Sequence, residues 1–182
     1  MTVPAHLTIL RDDAFSETAC PGTDEPYFKL LHTLKSVPRP VLPEGFVLTS
    51  VGLEELADHI NACYRREGVT AAELEAYTRR DVYDGDLWIA VRERETGRLA
   101  ASGIGELDKR IGEGVLEWIQ VSPAYRRRGL GKAVVCELLR RCSAKADFVT
   151  VSGRANNSDD PFDLYRSCGF TDPVIWHIIT VE

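Results

Sequence analysis

Along most of the chain the apolar residues recur with a readable period. Leu53, Leu56, Ile60, Cys63 and Tyr64 fall at helical spacing and predict an amphipathic helix ending near Gly68. Thr70 with Glu73 forms a capping box that opens a second helix running to about Arg80. Strands are predicted at 46–51, 87–93 and 99–107, the last two joined by a turn at Glu95, Thr96 and Gly97. Residues 116–121 read as a further strand. A helix over 129–142 then places Val134, Val135, Leu138 and Cys142 on one face. A strand at 148–152, a short helix at 161–168 and a last strand at 174–181 complete the pattern. Asp160 and Pro161 mark the start of that short helix as N-cap and first-turn proline. The order is β-α-α-β-β-β-α-β-α-β, which predicts a mixed sheet with helices packed on its faces.

The first 45 residues differ. They carry few periodic segments, with one short helix expected over 27–34, and lead into a run holding Pro38, Pro40 and Pro43. Prolines so close together suit neither a helix nor a central strand, so the run is read as an extended connector. Residues 1–45 are taken as an N-terminal extension and 46–182 as the domain.

Composition narrows the class. The chain has 182 residues, 44% hydrophobic and 27% charged, an ordinary globular balance that excludes a disordered chain or a fibre. No apolar run approaches the roughly 20 residues that span a bilayer. Arg11, Asp12 and Asp13 interrupt the start, so no signal peptide is expected and the location is read as cytoplasmic. A net charge of −6 argues against nucleic acid or an anionic membrane as partner. The five cysteines contain no CxxC and are expected to be reduced, mostly buried thiols. The four scattered histidines suggest no metal site.

Chemistry concentrates between Val121 and Lys132, where a predicted strand ends, three arginines follow, and a helix opens on two glycines. Glycines at such a junction let backbone N–H groups converge, and the helix N-terminus adds partial positive charge. Arg126, Arg127, Arg128 and Lys132 supply formal charge, making an anion cradle suited to phosphate. It is not a Walker A loop, because Ala133 stands at the Ser/Thr position. Nor is it a dinucleotide loop, because Val134 stands where a third glycine is required.

Arg126-x-x-Gly129-x-Gly131 resembles the [RQ]-x-x-G-x-[GA] signature of the GNAT superfamily of N-acetyltransferases, and Leu164-Tyr-Arg-Ser-Cys-Gly-Phe170 resembles its LYxxxGF segment. The resemblance implies an α/β (α+β) fold: a mixed, mostly antiparallel central sheet with helices on both faces and a V-shaped slot beside the strand that carries Val121. It implies acetyl-CoA, or another acyl-CoA, as cosubstrate. The backbone from Arg127 through Arg128, Gly129, Leu130 and Gly131 to Lys132 would hold the pyrophosphate, with Arg126 beside it. Val121, with Ile119 and Gln120, would line the pantetheine arm, and the Val121 N–H would polarise the thioester carbonyl. Asn156 and Asn157 are cofactor candidates, since Ser158 stands where the family often has asparagine. Tyr165 would protonate the departing thiolate and touch the cofactor.

Acyl transfer to an amine needs the neutral amine, which costs about 4 kcal/mol for an alkylamine near pH 7.4. A general base offsets that cost. Glu117, a charge on a strand expected to be covered on both faces, is the candidate; Glu113 and the Ile119 backbone are weaker ones. Tyr64, Arg65, Arg66, Tyr77, Asp81, Tyr83, Asp84 and Asp86 fall in the segments that set acceptor specificity in the resembled family, and the aspartates would suit a cationic amine. Trp88, Trp118 and Trp176 are pocket or core residues. The expected function is N-acetyl transfer from acetyl-CoA to a small-molecule or peptide primary amine by direct attack in a ternary complex. A CoA-binding module without turnover is the alternative, and the resemblance leaves a homodimer open.

Overall fold

The structure is a computed structural model that describes residues 6–64, 68–156 and 161–181. Eight strands form one sheet: β1 (Leu7–Arg11), β2 (Thr23–His32), β3 (Phe46–Thr49), β4 (Tyr83–Glu93), β5 (Leu99–Asp108), β6 (Glu113–Val121), β7 (Phe148–Arg154) and β8 (Thr171–Thr180). Their order is β1-β8-β2-β7-β6-β5-β4-β3. Every pairing is antiparallel except β6 with β7. The sheet is mixed and mostly antiparallel, as expected.

Four helices cover its two faces: α1 (Leu53–Cys63), α2 (Ala71–Tyr77), α3 (Leu130–Cys142) and α4 (Pro161–Ser167). The capping box at Thr70 and Glu73 is formed in both directions, satisfying two orphan donors at the start of α2. The apolar stripe of α3 buries Val134, Leu138 and Cys142 against Leu116, Val149 and Val151 of the sheet, and α4 adds Tyr165. On the other face, Leu56, Ile60 and Leu74 of α1 and α2 close over Ile104, with Trp88 and Trp118 at the margin. Gly103 permits the close approach of α3, since a Cβ there would stand 2.7 Å from Val134 Cγ1.

The helix expected over 27–34 is instead the second half of β2. Phe28, Leu30 and His32 are buried while Tyr27, Lys29 and Leu31 are half-buried, a period of two rather than 3.6. β2 lies between β7 and β8, pairing Leu30 with Val151 on one side and Phe28 with Ile175 on the other. From His32 the chain must reach β3 at the far edge of the sheet. The proline run makes that crossing as an irregular strap over the α3 face, with Val37 and Leu42 packed on the core. The strap begins with Leu34 at φ 59°, its N–H bonded to His32 Nδ1 at 3.0 Å.

Candidate active site

The site is built where β6 and β7 part. Their parallel ladder runs from Glu113 opposite Phe148 to Leu116 opposite Val151 and then ends, although β6 continues to Val121. On its other edge β6 stays paired with β5, matching Ala101 with Val121 and Ser102 with Gln120. The result is a slot with the last five residues of β6 as one wall. Within it Gln120 opposes Ser102 and Glu117 opposes Ile104, so Trp118 and Ile119 together face Gly103. This is a β-bulge, and Trp118 takes a left-handed φ of 45° to make it. Because Ser122 N–H bonds Ala100 O on β5, the preceding Val121 peptide faces the opposite edge, toward the slot.

Beyond Val121 the chain turns through Pro123–Tyr125 into the arginine loop. Arg127 and Gly129 both have left-handed backbone, with φ of 62° and 82°. Such reversals turn successive N–H groups toward one side, the geometry of an anion nest. A non-glycine residue at positive φ is uncommon and marks a loop shaped by more than local preference. Arg126 to Gly129 are exposed, and Tyr125, bonded to Glu93 Oε2 at 2.9 Å with Arg128 over its ring, anchors the loop from beneath. Gly131 fits because a side chain there would crowd Leu164 Cδ2 at 3.3 Å and Val121 Cγ2 at 3.6 Å.

Glu117 projects from β6 on the α1–α2 side, in the same row as Ile104. It is exposed by surface area yet surrounded by protein, as a carboxylate on the wall of an open slot would be. Loss of water raises its pKa first, the charge of Glu106 adds to this, and Arg80 opposes it; the net shift is upward. Glu106 lies on that face of β5, gripped by Arg80 at 2.6 Å. Tyr64 donates to Ile119 O at 2.9 Å and packs edge-on against Trp118, closing the same corner. From the other face Tyr165 of α4 is buried, and burial followed by the nearness of Tyr64 and Glu117 pushes its phenol pKa up. The structure therefore brings Glu117, Tyr64, Tyr165, Ile119 and Val121 to one opening, with the arginine loop at its end.

Other candidates fall elsewhere. Glu113 sits at the closed end of the β6–β7 ladder, accepting from Thr150 Oγ1 at 2.6 Å with Lys29 Nζ at 3.5 Å. Asp84 and Asp86 share one partner, Lys145, at 2.8 and 2.9 Å. Trp176 is on β8, paired with Tyr27 and Arg11, away from the slot. Asn156 follows β7 at the rim, while Asn157, Ser158, Asp160, Arg65 and Arg66 lie outside the described residues. All five cysteines are free, with Cys136, Cys142 and Cys168 buried. Among the described residues no group of histidine, cysteine, aspartate or glutamate could hold a metal ion, and no helix is long and apolar enough to cross a membrane.

The Gln120 side chain turns away from the slot into a chain of hydrogen bonds that sequence reasoning missed. Gln120 Nε2 donates to Ser102 Oγ, and Ser122 Oγ donates to Leu99 O at 3.0 Å. Between them stands His59, with Nδ1 2.8 Å from Ser102 Oγ and Nε2 2.8 Å from Ser122 Oγ. Because the Ser122 hydrogen goes to Leu99 O, Nε2–H donates to Ser122, and in the neutral ring Nδ1 then accepts from the Ser102 hydroxyl. Burial lowers the His59 pKa to about 4, so the ring is neutral near pH 7. The chain pins α1 to the β5–β6 pair directly behind the wall of the slot. Glu106 was also missed, although a charge two residues from Ile104 in an otherwise buried strand was a usable signal.

The comparisons agree with this architecture. Residues 83–172 match the family model for the acetyltransferase (GNAT) domain. No curated protein sequence matches the chain. Among solved structures, a GCN5-related N-acetyltransferase from Sphaerobacter thermophilus is similar with a TM-score of 0.72 at 22% identity, over 97% of this chain and 61% of that one. A Drosophila protein is similar with a TM-score of 0.68 at 21% identity, over 87% of this chain and 52% of that one. A GCN5-related N-acetyltransferase from Kribbella flavida has a TM-score of 0.59 at 15% identity, over 97% and 61%. The chain thus spans between half and two thirds of these proteins. At such identities the likeness is one of fold. The fold is that of these acetyltransferases, and it is residues 83–172 that match the GNAT domain model.

Proposed function

We propose that the protein is an N-acyltransferase that moves an acetyl group from acetyl-CoA directly to a primary amine. The observation that carries this reading is the convergence of Glu117 and Tyr165, from opposite faces of the sheet, on the opening between β6 and β7. The arginine loop and the first turn of α3, from Arg126 to Lys132, would take the pyrophosphate through backbone N–H groups and local positive charge. The slot-facing Val121 peptide would bond the pantetheine arm or the thioester carbonyl, where its N–H would stabilise developing negative charge on oxygen.

The amine would enter from the α1–α2 side, between Tyr64, Trp118 and Glu106. Glu117, with its pKa raised toward the working range of a base, takes the proton from the ammonium or from the attacking nitrogen. The nitrogen then bonds to the acyl carbon, and the C–S bond breaks. Tyr165, which burial keeps protonated, offers its hydroxyl hydrogen to the departing thiolate. Arg80 neutralises Glu106 but leaves Glu117 without its own ion pair among the described residues, so this face keeps a negative charge that attracts a cationic acceptor.

The test is CoA release from acetyl-CoA with a panel of primary amines. Glu117→Gln should lower kcat by about 100-fold or more and abolish the acidic limb of the pH–rate profile, leaving acetyl-CoA affinity intact. Tyr165→Phe should lower kcat by about tenfold with the same affinity. Tight CoA binding without release by the wild-type protein would favour a binding module and sink the enzyme reading.

A further inference from the structure

The proline strap does more than connect. Its residues Arg39, Val41 and Pro43 form one wall of a surface cavity of about 260 Å³, and Gly129, Lys132, Ala133 and Cys136 of the α3 start form the other. These positions share one face of the helix, with Ala133 and Cys136 buried, so the strap runs beside its first two turns. Contact is close at the loop itself, since a Cβ on Gly129 would stand 3.8 Å from Pro43 Cγ. The cavity is therefore continuous with the anion cradle.

Its chemistry is mixed in a definite way. Valine, proline, alanine and cysteine give an apolar floor, while Arg39 and Lys132 place two cations on it from segments more than 90 positions apart in sequence. Among the described residues neither cation has an acidic partner. In a chain with a net charge of −6, two unpaired cations lining one small apolar cavity call for an anionic ligand group with a flat apolar body. The volume is below the roughly 300 Å³ at which whole-ligand pockets begin, so it suits one end of a longer molecule.

We propose that the strap and α3 together form the nucleotide-end subsite of the acyl-CoA site, in which Arg39, supported by Lys132, binds the 3′-phosphate. This rests on the acyl-CoA reading above and adds to it a specificity residue from the segment before β3. Arg39 suits the task because a guanidinium can hold a phosphate through two parallel hydrogen bonds. The strap supplies it rigidly, because proline fixes the backbone on either side and little ordering is needed on binding.

Calorimetric titration with CoA and with 3′-dephospho-CoA, on wild type and Arg39→Gln, tests this. Wild type should bind CoA about tenfold or more tightly than the dephospho form. Arg39→Gln should lose most of that preference while binding dephospho-CoA as wild type does, with an unchanged thermal midpoint without ligand. A wild-type ratio near one, or an unchanged ratio in Arg39→Gln, overturns the assignment and leaves the acyl-CoA reading standing. Failure of wild type to bind either compound overturns both.

Discussion

Acidification should weaken this fold through one side chain in particular. His59 is held neutral between two serines whose remaining hydrogen bonds dictate which nitrogen carries the proton. A second proton on Nδ1 would make the Ser102 hydroxyl give up its donation and turn its hydrogen elsewhere, and burial would leave the new charge poorly hydrated. The unfolded chain takes up that proton near pH 6.5, while the folded chain resists it until about 4. The unfolded state therefore binds more protons across this window, so stability is full above pH 6.5 and falls as pH drops toward 4. The limit of the loss is about 3 kcal/mol from this residue alone. Urea unfolding at about pH 7 and about pH 4.5 should show it as the difference between wild type and His59→Gln, whose amide is neutral throughout and still offers a donor to Ser122. Carboxylates other than Glu55, whose charge interacts with His59, affect both proteins alike and cancel in that comparison. Wild-type and variant stabilities that fall in parallel would refute the neutral, serine-locked histidine.

Two further outcomes follow from packing and charge. Gly103→Ala should destabilise the protein by about 1–3 kcal/mol in urea unfolding, because the new methyl meets Val134, Ile119 and Leu138 at 2.7–3.1 Å; an unchanged midpoint would mean that α3 moves away without cost. His177 lies between Asp24 at 2.8 Å and Asp12 at 3.1 Å and stacks on Phe15; burial pulls its pKa down, but the two carboxylates outweigh it and the net shift is upward. Its contribution should be full below pH 6.5 and fade as pH rises through the folded value, so hydrogen exchange should show β1 opening more readily at alkaline pH, and Asp24→Asn should flatten that dependence.

Much of this was legible in the chain. From Leu53 onward the helices and strands announce themselves because each has one buried face, so the period of their apolar residues reports the element. The arginine loop and the Tyr165 segment were legible for a different reason: a left-handed turn at a helix start and a buried hydroxyl constrain residue types over a few consecutive positions. β2 was not legible, because Pro26 and the short alternation through Phe28, Leu30 and His32 give little periodic signal. Its place in the sheet depends on β7 and β8, which lie more than 100 residues away. The His59 chain was hidden for the same reason: its histidine, serines and glutamine come from α1, β5 and the end of β6, and no local pattern joins them. The role proposed for Arg39 needs the strap's path, which only the position of β2 reveals.

That position has a consequence for how the chain acquires its shape. β8 is paired only with β1 and β2 among the described residues, so the eighth strand in chain order docks on the first two. The registers Leu7 with Thr180 and Thr23 with Thr180 bring together residues separated by most of the sequence. Closing so long a loop precedes any reward from the contacts it makes, which slows folding relative to a chain of local pairings. Until it happens β1 and β2 expose unpaired edges, and β2 is the strand that braces β7, the far wall of the slot. The slow step of folding should therefore coincide with the appearance of the completed slot, and refolding followed by Trp176 fluorescence on β8 should track the recovery of CoA binding.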